Sequence, residues 1–98
     1  MSTIPQPAPE AERILIVDDT PANLSLLVDA LQAAGHRPLV ATNGELALQR
    51  LAQQPPALIL LDMRMPGLDG MEVCARIQRH PQWREIPVIF MTAVEEPE

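Results

Sequence analysis

Asp62 ends the aliphatic run Leu58-Ile-Leu-Leu-Asp62 and is followed at once by Met63-Arg-Met-Pro-Gly-Leu-Asp-Gly70. An unbroken run of large aliphatics reads as a strand buried on both faces, as in a parallel sheet, and Pro66 with Gly67 forces a turn after it. Two other runs end in polar groups: Ile14-Leu-Ile-Val17 in Asp18-Asp19, and Pro87-Val-Ile-Phe-Met91 in Thr92-Ala93. In a parallel sheet all carboxyl ends lie on one edge, where open α/β sheets place their ligands. Asp18, Asp19, Asp62 and Thr92 would converge there. Crowded carboxylates repel one another and partly protonate. A hard divalent cation with oxygen ligands relieves this, and a few carboxylates plus waters suit Mg²⁺. The chemistry such a site offers is phosphoryl transfer to a carboxylate, with a metal neutralising charge and a hydroxyl donating to a phosphoryl oxygen.

The elements that must position these groups are legible between them. Thr20 then Pro21 is a helix start, a capping residue followed by proline at the first helical position. Leu24, Leu27, Val28 and Leu31 follow at helical spacing, and Gly35 supplies the stop. Residues 37–42 form a weaker strand, with Pro38 near its start as expected of a sheet edge. Thr42 and Glu45 have capping-box spacing for a second helix through Ala47, Leu48 and Leu51, which Pro55-Pro56 ends. A third helix runs from about Met71 to Arg79, with Val73 and Ile77 on its apolar face and Pro81 closing it. The order β-α-β-α-β-α-β implies a parallel sheet with right-handed crossovers. Residues 1–12, with Pro5, Pro7 and Pro9, read as a disordered tail, and residues 13–98 as one domain.

Composition narrows the classes. With 98 residues and 47% hydrophobic, the chain can form one small domain around an aliphatic core, since aromatics are 2%. A net charge of −6 argues against direct contact with nucleic acid, which needs a basic surface. All seven basic residues are Arg, and Lys is absent. The lone Cys74 can form no intramolecular disulfide, which fits a reducing, cytoplasmic setting. There is no signal-peptide pattern at the N-terminus, and no apolar run nears the ~20 residues of a membrane span.

Taken alone, Asp18-Asp19 serves equally well as a helix cap; with Asp62 and Thr92 in the same chain the metal-site reading prevails. Asp69 reads as a turn residue before Gly70, His36 and His80 as solvated, and Met63, Met65 and Met71 as packing.

Three segments together, Ile14-Leu-Ile-Val-Asp-Asp19, Asp62-Met-Arg-Met-Pro-Gly-Leu-Asp-Gly70 and Pro87-Val-Ile-Phe-Met-Thr-Ala93, make a specific combination. Over roughly residues 13–94 the chain resembles the receiver domain of two-component, or phosphorelay, response regulators. The resemblance implies a flavodoxin-like, doubly wound α/β fold with strand order 2-1-3-4. It makes Asp62 the phosphoacceptor for a phosphohistidine on a partner histidine kinase or phosphotransfer protein. Asp19, Asp62 and the main-chain carbonyl of Arg64 become Mg²⁺ ligands, with Asp18 binding directly or through water. Thr92 becomes the phosphoryl contact and switch, and small Ala93 leaves the phosphate accessible. The Arg64 side chain, where family members often carry Asn or Met, would border the site.

The chain departs from the family at its other end. The family's fifth strand, ending in a lysine, and its last helices have no counterpart before Glu98, so the chain reads as a fragment or a shortened receiver. The fourth strand then becomes an apolar edge, which predicts marginal stability or homodimerisation along it. Two further readings follow: a phosphorylation-independent interaction or dimerisation module with the receiver fold, and, least favoured, a metal-dependent phosphohydrolase, because the Asp-x-Asp arrangement such enzymes typically use is not present around Asp62 or Asp18. In the leading reading the domain takes part in its own phosphoryl transfer and is not a turnover enzyme.

Overall fold

The computed structural model describes residues 12–91. The expectations for the N-terminal tail, Thr92, Ala93 and the acidic end fall outside them, apart from Glu12, whose carbonyl accepts the Arg37 amide at 3.0 Å. The elements are β1 (Arg13–Val17), α1 (Pro21–Ala33), β2 (Arg37–Ala41), α2 (Gly44–Gln53), β3 (Leu58–Asp62), α3 (Gly70–Arg79) and β4 (Val88–Met91). The four strands form one parallel sheet in the order β2-β1-β3-β4. Both the strand order and the parallel sense agree with the sequence reading, and Pro38 does lie on an edge strand.

Register explains the two-sided core. Leu15 pairs with Leu39 and Ile59, and Val17 with Ala41 and Leu61. These residues share one face and form the main cluster with Ala47 and Leu51 of α2 and Val73 and Ile77 of α3. Ile14 and Ile16, also buried, alternate to the opposite face. The chain steps from β1 to β2 in one direction and from β2 past β1 to β3 in the other. Right-handed crossovers therefore set α1 against one face and α2 with α3 against the other. α1 buries none of its residues fully. Leu24, Leu27, Val28 and Leu31 are half-buried, and Leu26 is 71% exposed.

Local chemistry sets the element ends. Thr20 is the N-cap of α1 with Pro21 at the first turn, but its side chain makes no capping bond. Gly35, at φ +92°, turns the chain out of α1 as expected of a glycine stop. The second helix start differs from the capping-box reading by one residue. Asn43, not Thr42, is the N-cap, and its side chain accepts the Leu46 amide at 2.8 Å. Asp69 caps α3 in the same way through the Glu72 amide at 2.9 Å, which gives the turn residue a specific role. Met65 packs in the core, whereas Met71 is 57% exposed and fills no gap. His80 is not simply solvated. Its ring stacks on Trp83, with centroids 3.7 Å apart and planes 8° off parallel, while Nδ1 accepts the Gln82 amide at 3.1 Å.

Candidate functional site

Asp18, Asp19 and Asp62 meet where β1 and β3 end. These adjacent strands flank the point at which the strand order reverses, so the loops that follow them diverge and leave a crevice. The Asp18 amide continues the β1–β2 ladder by donating to the Ala41 carbonyl at 3.1 Å, so its backbone is held by the sheet. Asp62 is the last residue of β3 and pairs in register with Met91 of β4. One carboxylate oxygen from each of the three residues can be chosen so that all lie within 4.8 Å of one another.

The three carboxylates are held very differently. Asp18 is 3% exposed. Its Oδ1 accepts the Thr20 amide at 2.9 Å and its Oδ2 accepts the side-chain amide of Asn23 at 3.3 Å. Asp19 is exposed. Asp62 is half-buried, and its Oδ1 accepts the main-chain amide of Arg64 at 3.1 Å. Burial pushes the Asp62 carboxyl above its ordinary value of 3.8; the Arg64 amide opposes this, and the charges of Asp18 and Asp19 add to it. Crowding of this kind is what a divalent cation relieves, and an all-oxygen donor set suits a hard one. These residues therefore fit a Mg²⁺-type ion.

The loop after Asp62 is shaped by close packing. Gly70 opens α3 folded back onto the end of β3, and its amide donates to the Met63 carbonyl at 3.3 Å. A Cβ at this position would collide with the Asp62 carbonyl oxygen and lie 2.8 Å from Cα of Met63. Met63, Arg64, Met65, Pro66 and Asp69 line a depression along this loop.

Comparison with known proteins decides the family. The response regulator receiver domain matches residues 14–98. The chain belongs to that family. This receiver domain is 44% identical over 81 residues to the transcriptional regulatory protein BaeR of Escherichia coli O6:H1, covering 83% of this chain and 32% of BaeR. It therefore spans about a third of that relative. Among solved structures, the N-terminal domain of a response regulator receiver protein from Methanoculleus marisnigri JR1 superposes with a TM-score of 0.82 at 41% identity, over 88% of this chain and 70% of that one. The Mn²⁺-bound form of response regulator Rcp1 superposes with a TM-score of 0.77 at 33% identity, over 87% of this chain and 68% of that one.

Of the site residues expected from sequence, the receiver structure brings Asp18, Asp19 and Asp62 together and sets the Arg64 backbone against Asp62. Thr92 and Ala93 lie outside the described residues. Sequence reasoning missed Asn23 and Gly70 as parts of the site. The only signal for Asn23 was a polar residue in the first turn of a helix that starts beside the acid pair. For Gly70 it was a glycine eight residues after the candidate acceptor. Among the described residues, no helix is long and apolar enough to cross a membrane.

Proposed function

We propose that this receiver domain accepts a phosphoryl group on Asp62 from a phosphohistidine of a histidine kinase or phosphotransfer protein, as a step in two-component signalling. The observation that carries the reading is the convergence of Asp18, Asp19 and Asp62 at the β1–β3 switch point, with carboxylate oxygens within 4.8 Å. Asp62 Oδ1 is engaged by the Arg64 amide, so Oδ2 is the attacking atom. It forms the new P–O bond as the P–N bond to the donor imidazole breaks. The electron pair of that bond stays on the imidazole nitrogen, and Asp62 becomes an acyl phosphate.

Asp18, Asp19, Asp62 and the main-chain carbonyl of Arg64 are the residues that would hold Mg²⁺, whose positive charge offsets the negative charge gathered on the phosphoryl oxygens. The Mn²⁺-bound form of the related Rcp1 supports a divalent ion here. The family resemblance assigns Thr92 the phosphoryl contact and Ala93 the open space beside it. The domain transfers phosphate to and from its own side chain and turns over no separate substrate. A cytoplasmic setting follows from the proposed kinase partner and fits the free thiol of Cys74. A second copy of the chain is a further proposed partner, through β4, where Ile89 and Phe90 are 51% and 36% exposed.

Incubation with a small phosphodonor and Mg²⁺, followed by intact-mass measurement, tests the central step. One added phosphate is expected, and none when the metal is chelated before the donor is added. An unmodified chain would favour the alternative of a phosphorylation-independent interaction module.

A further inference from the structure

We propose that Asn23 is a positioning residue, which fixes the Asp18 carboxylate in the orientation that faces Asp62 and the metal. The inference rests on the metal-site reading above and adds to it a residue of α1.

Asp18 is the one buried carboxylate of the three, at 3% exposure. A buried carboxylate needs donors on its oxygens. It has one on each: the Thr20 amide on Oδ1 at 2.9 Å and Asn23 Nδ2 on Oδ2 at 3.3 Å. A carboxylate can only accept, so the Asn23 side chain must turn its NH₂, not its carbonyl, toward Asp18. The Thr20 bond spans two residues and comes with the local turn. The Asn23 bond spans five and ties the strand-end acid to a different element. Pro21 pre-sets the first turn of α1, so Asn23 projects from a start with little freedom. With both outer lone pairs engaged, the carboxylate cannot rotate about its Cβ–Cγ bond without losing a donor. The oxygen it offers then stays within 4.8 Å of an oxygen of Asp62. Asp19 is exposed and Asp62 has its one amide donor from Arg64, so Asp18 is the rigid member of the set and Asn23 makes it so. Partners of this kind behind a ligand change metal affinity about 10- to 100-fold when removed.

The test is a cycle of Mg²⁺ titrations, followed by calorimetry, on the chain with Asn23→Ala, Asp18→Asn and both changes together. Asn23 is exposed on a helix, and alanine is a better helix former, so the fold should survive. In the Asp18 background, Asn23→Ala should weaken Mg²⁺ binding at least tenfold. In the Asp18→Asn background it should change binding less than twofold, because Asn23 acts through Asp18. Equal losses in both backgrounds, or unchanged affinity in the Asp18 background, overturn the proposal. If Asn23→Ala does not fold, Asn23→Gln moves the same donor by one methylene and is read by the same cycle. A native chain that binds no Mg²⁺ overturns the metal-site reading itself. Native binding that is insensitive to Asn23 overturns only this inference.

Discussion

The main-chain amide of Arg64 donates to Oδ1 of Asp62 at 3.1 Å, so one oxygen of the candidate acceptor is held by the loop it introduces. One carboxylate oxygen of Asp62 lies within 4.8 Å of an oxygen of Asp18 and of Asp19. Asp62→Asn keeps the shape and the Arg64 contact but removes the nucleophilic carboxylate. Phosphate uptake from a small phosphodonor with Mg²⁺ should then fall below detection by intact-mass spectrometry. Labelling that persists in this variant would place the acceptor elsewhere.

Asp19 contributes charge to the site from an exposed position. Asp19→Asn should weaken Mg²⁺ binding more than tenfold by calorimetry, because a ligand charge is lost. Without metal, the same variant should melt at an equal or slightly higher temperature, since one repulsion on Asp62 is relieved. Unchanged affinity would reduce the acid pair to the start of a helix.

The raised titration of Asp62 makes a statement about pH. Its folded form holds the proton more tightly than the unfolded chain does, mainly because of burial. Folding therefore gains from protonated Asp62 below the ordinary value of 3.8, and that gain is lost as pH rises through the elevated folded value. In metal-free buffer, Asp62→Asn should melt higher than the native chain near pH 7. The difference should shrink as pH is lowered toward 4. A constant difference across that range would show that burial and the neighbouring acids do not burden Asp62.

Gly70 sits against the carbonyl oxygen of Asp62 and Cα of Met63, where no Cβ fits. Gly70→Ala must push α3 away from the end of β3. The expected cost is about 1–3 kcal/mol of stability, typical of overpacking, read by urea denaturation. Because the clash falls on the Asp62 carbonyl, phosphorylation should slow as well. A fully stable variant would mean that the β3–α3 loop yields easily.

β4 carries four apolar residues and no charge, with Ile89 and Phe90 on opposite faces and both exposed. Among the described residues β4 is an outer strand of the sheet, and an uncharged apolar edge is a template for strand pairing. Light scattering across protein concentration should show association, and Ile89→Lys should suppress it. A chain that stays monomeric at every concentration would remove β4 as a self-pairing surface.

The sheet was legible because its strands are aliphatic runs whose ends coincide with Asp18 and Asp62, a pattern that survives without tertiary knowledge. The acid cluster was legible for the same reason, since a parallel sheet sends its carboxyl ends to one edge. What was not legible depends on partners distant in sequence or on fine geometry. Thr42 and Asn43 are both acceptable caps, and only the backbone decides that Asn43 reaches the Leu46 amide. Asn23 drew no reading from the sequence, and only the fold of α1 sets it beside Asp18. Gly70 looked like one more turn glycine until α3 folded back on Asp62. Met71 looked like core because methionine usually packs, but it lies on the outer side of α3.

The stacking of His80 on Trp83 gives the domain its own optical probe. The chain has one tryptophan and no tyrosine, so near-ultraviolet emission arises essentially from a single indole. That indole lies in the connection between α3 and β4 and packs against the main core cluster. An imidazole stacked at 3.7 Å is close enough to quench it. Emission will therefore brighten or shift when this corner opens and stay silent when only α1 frays, so one unlabelled sample reports separately on the α3–β4 side of the sheet.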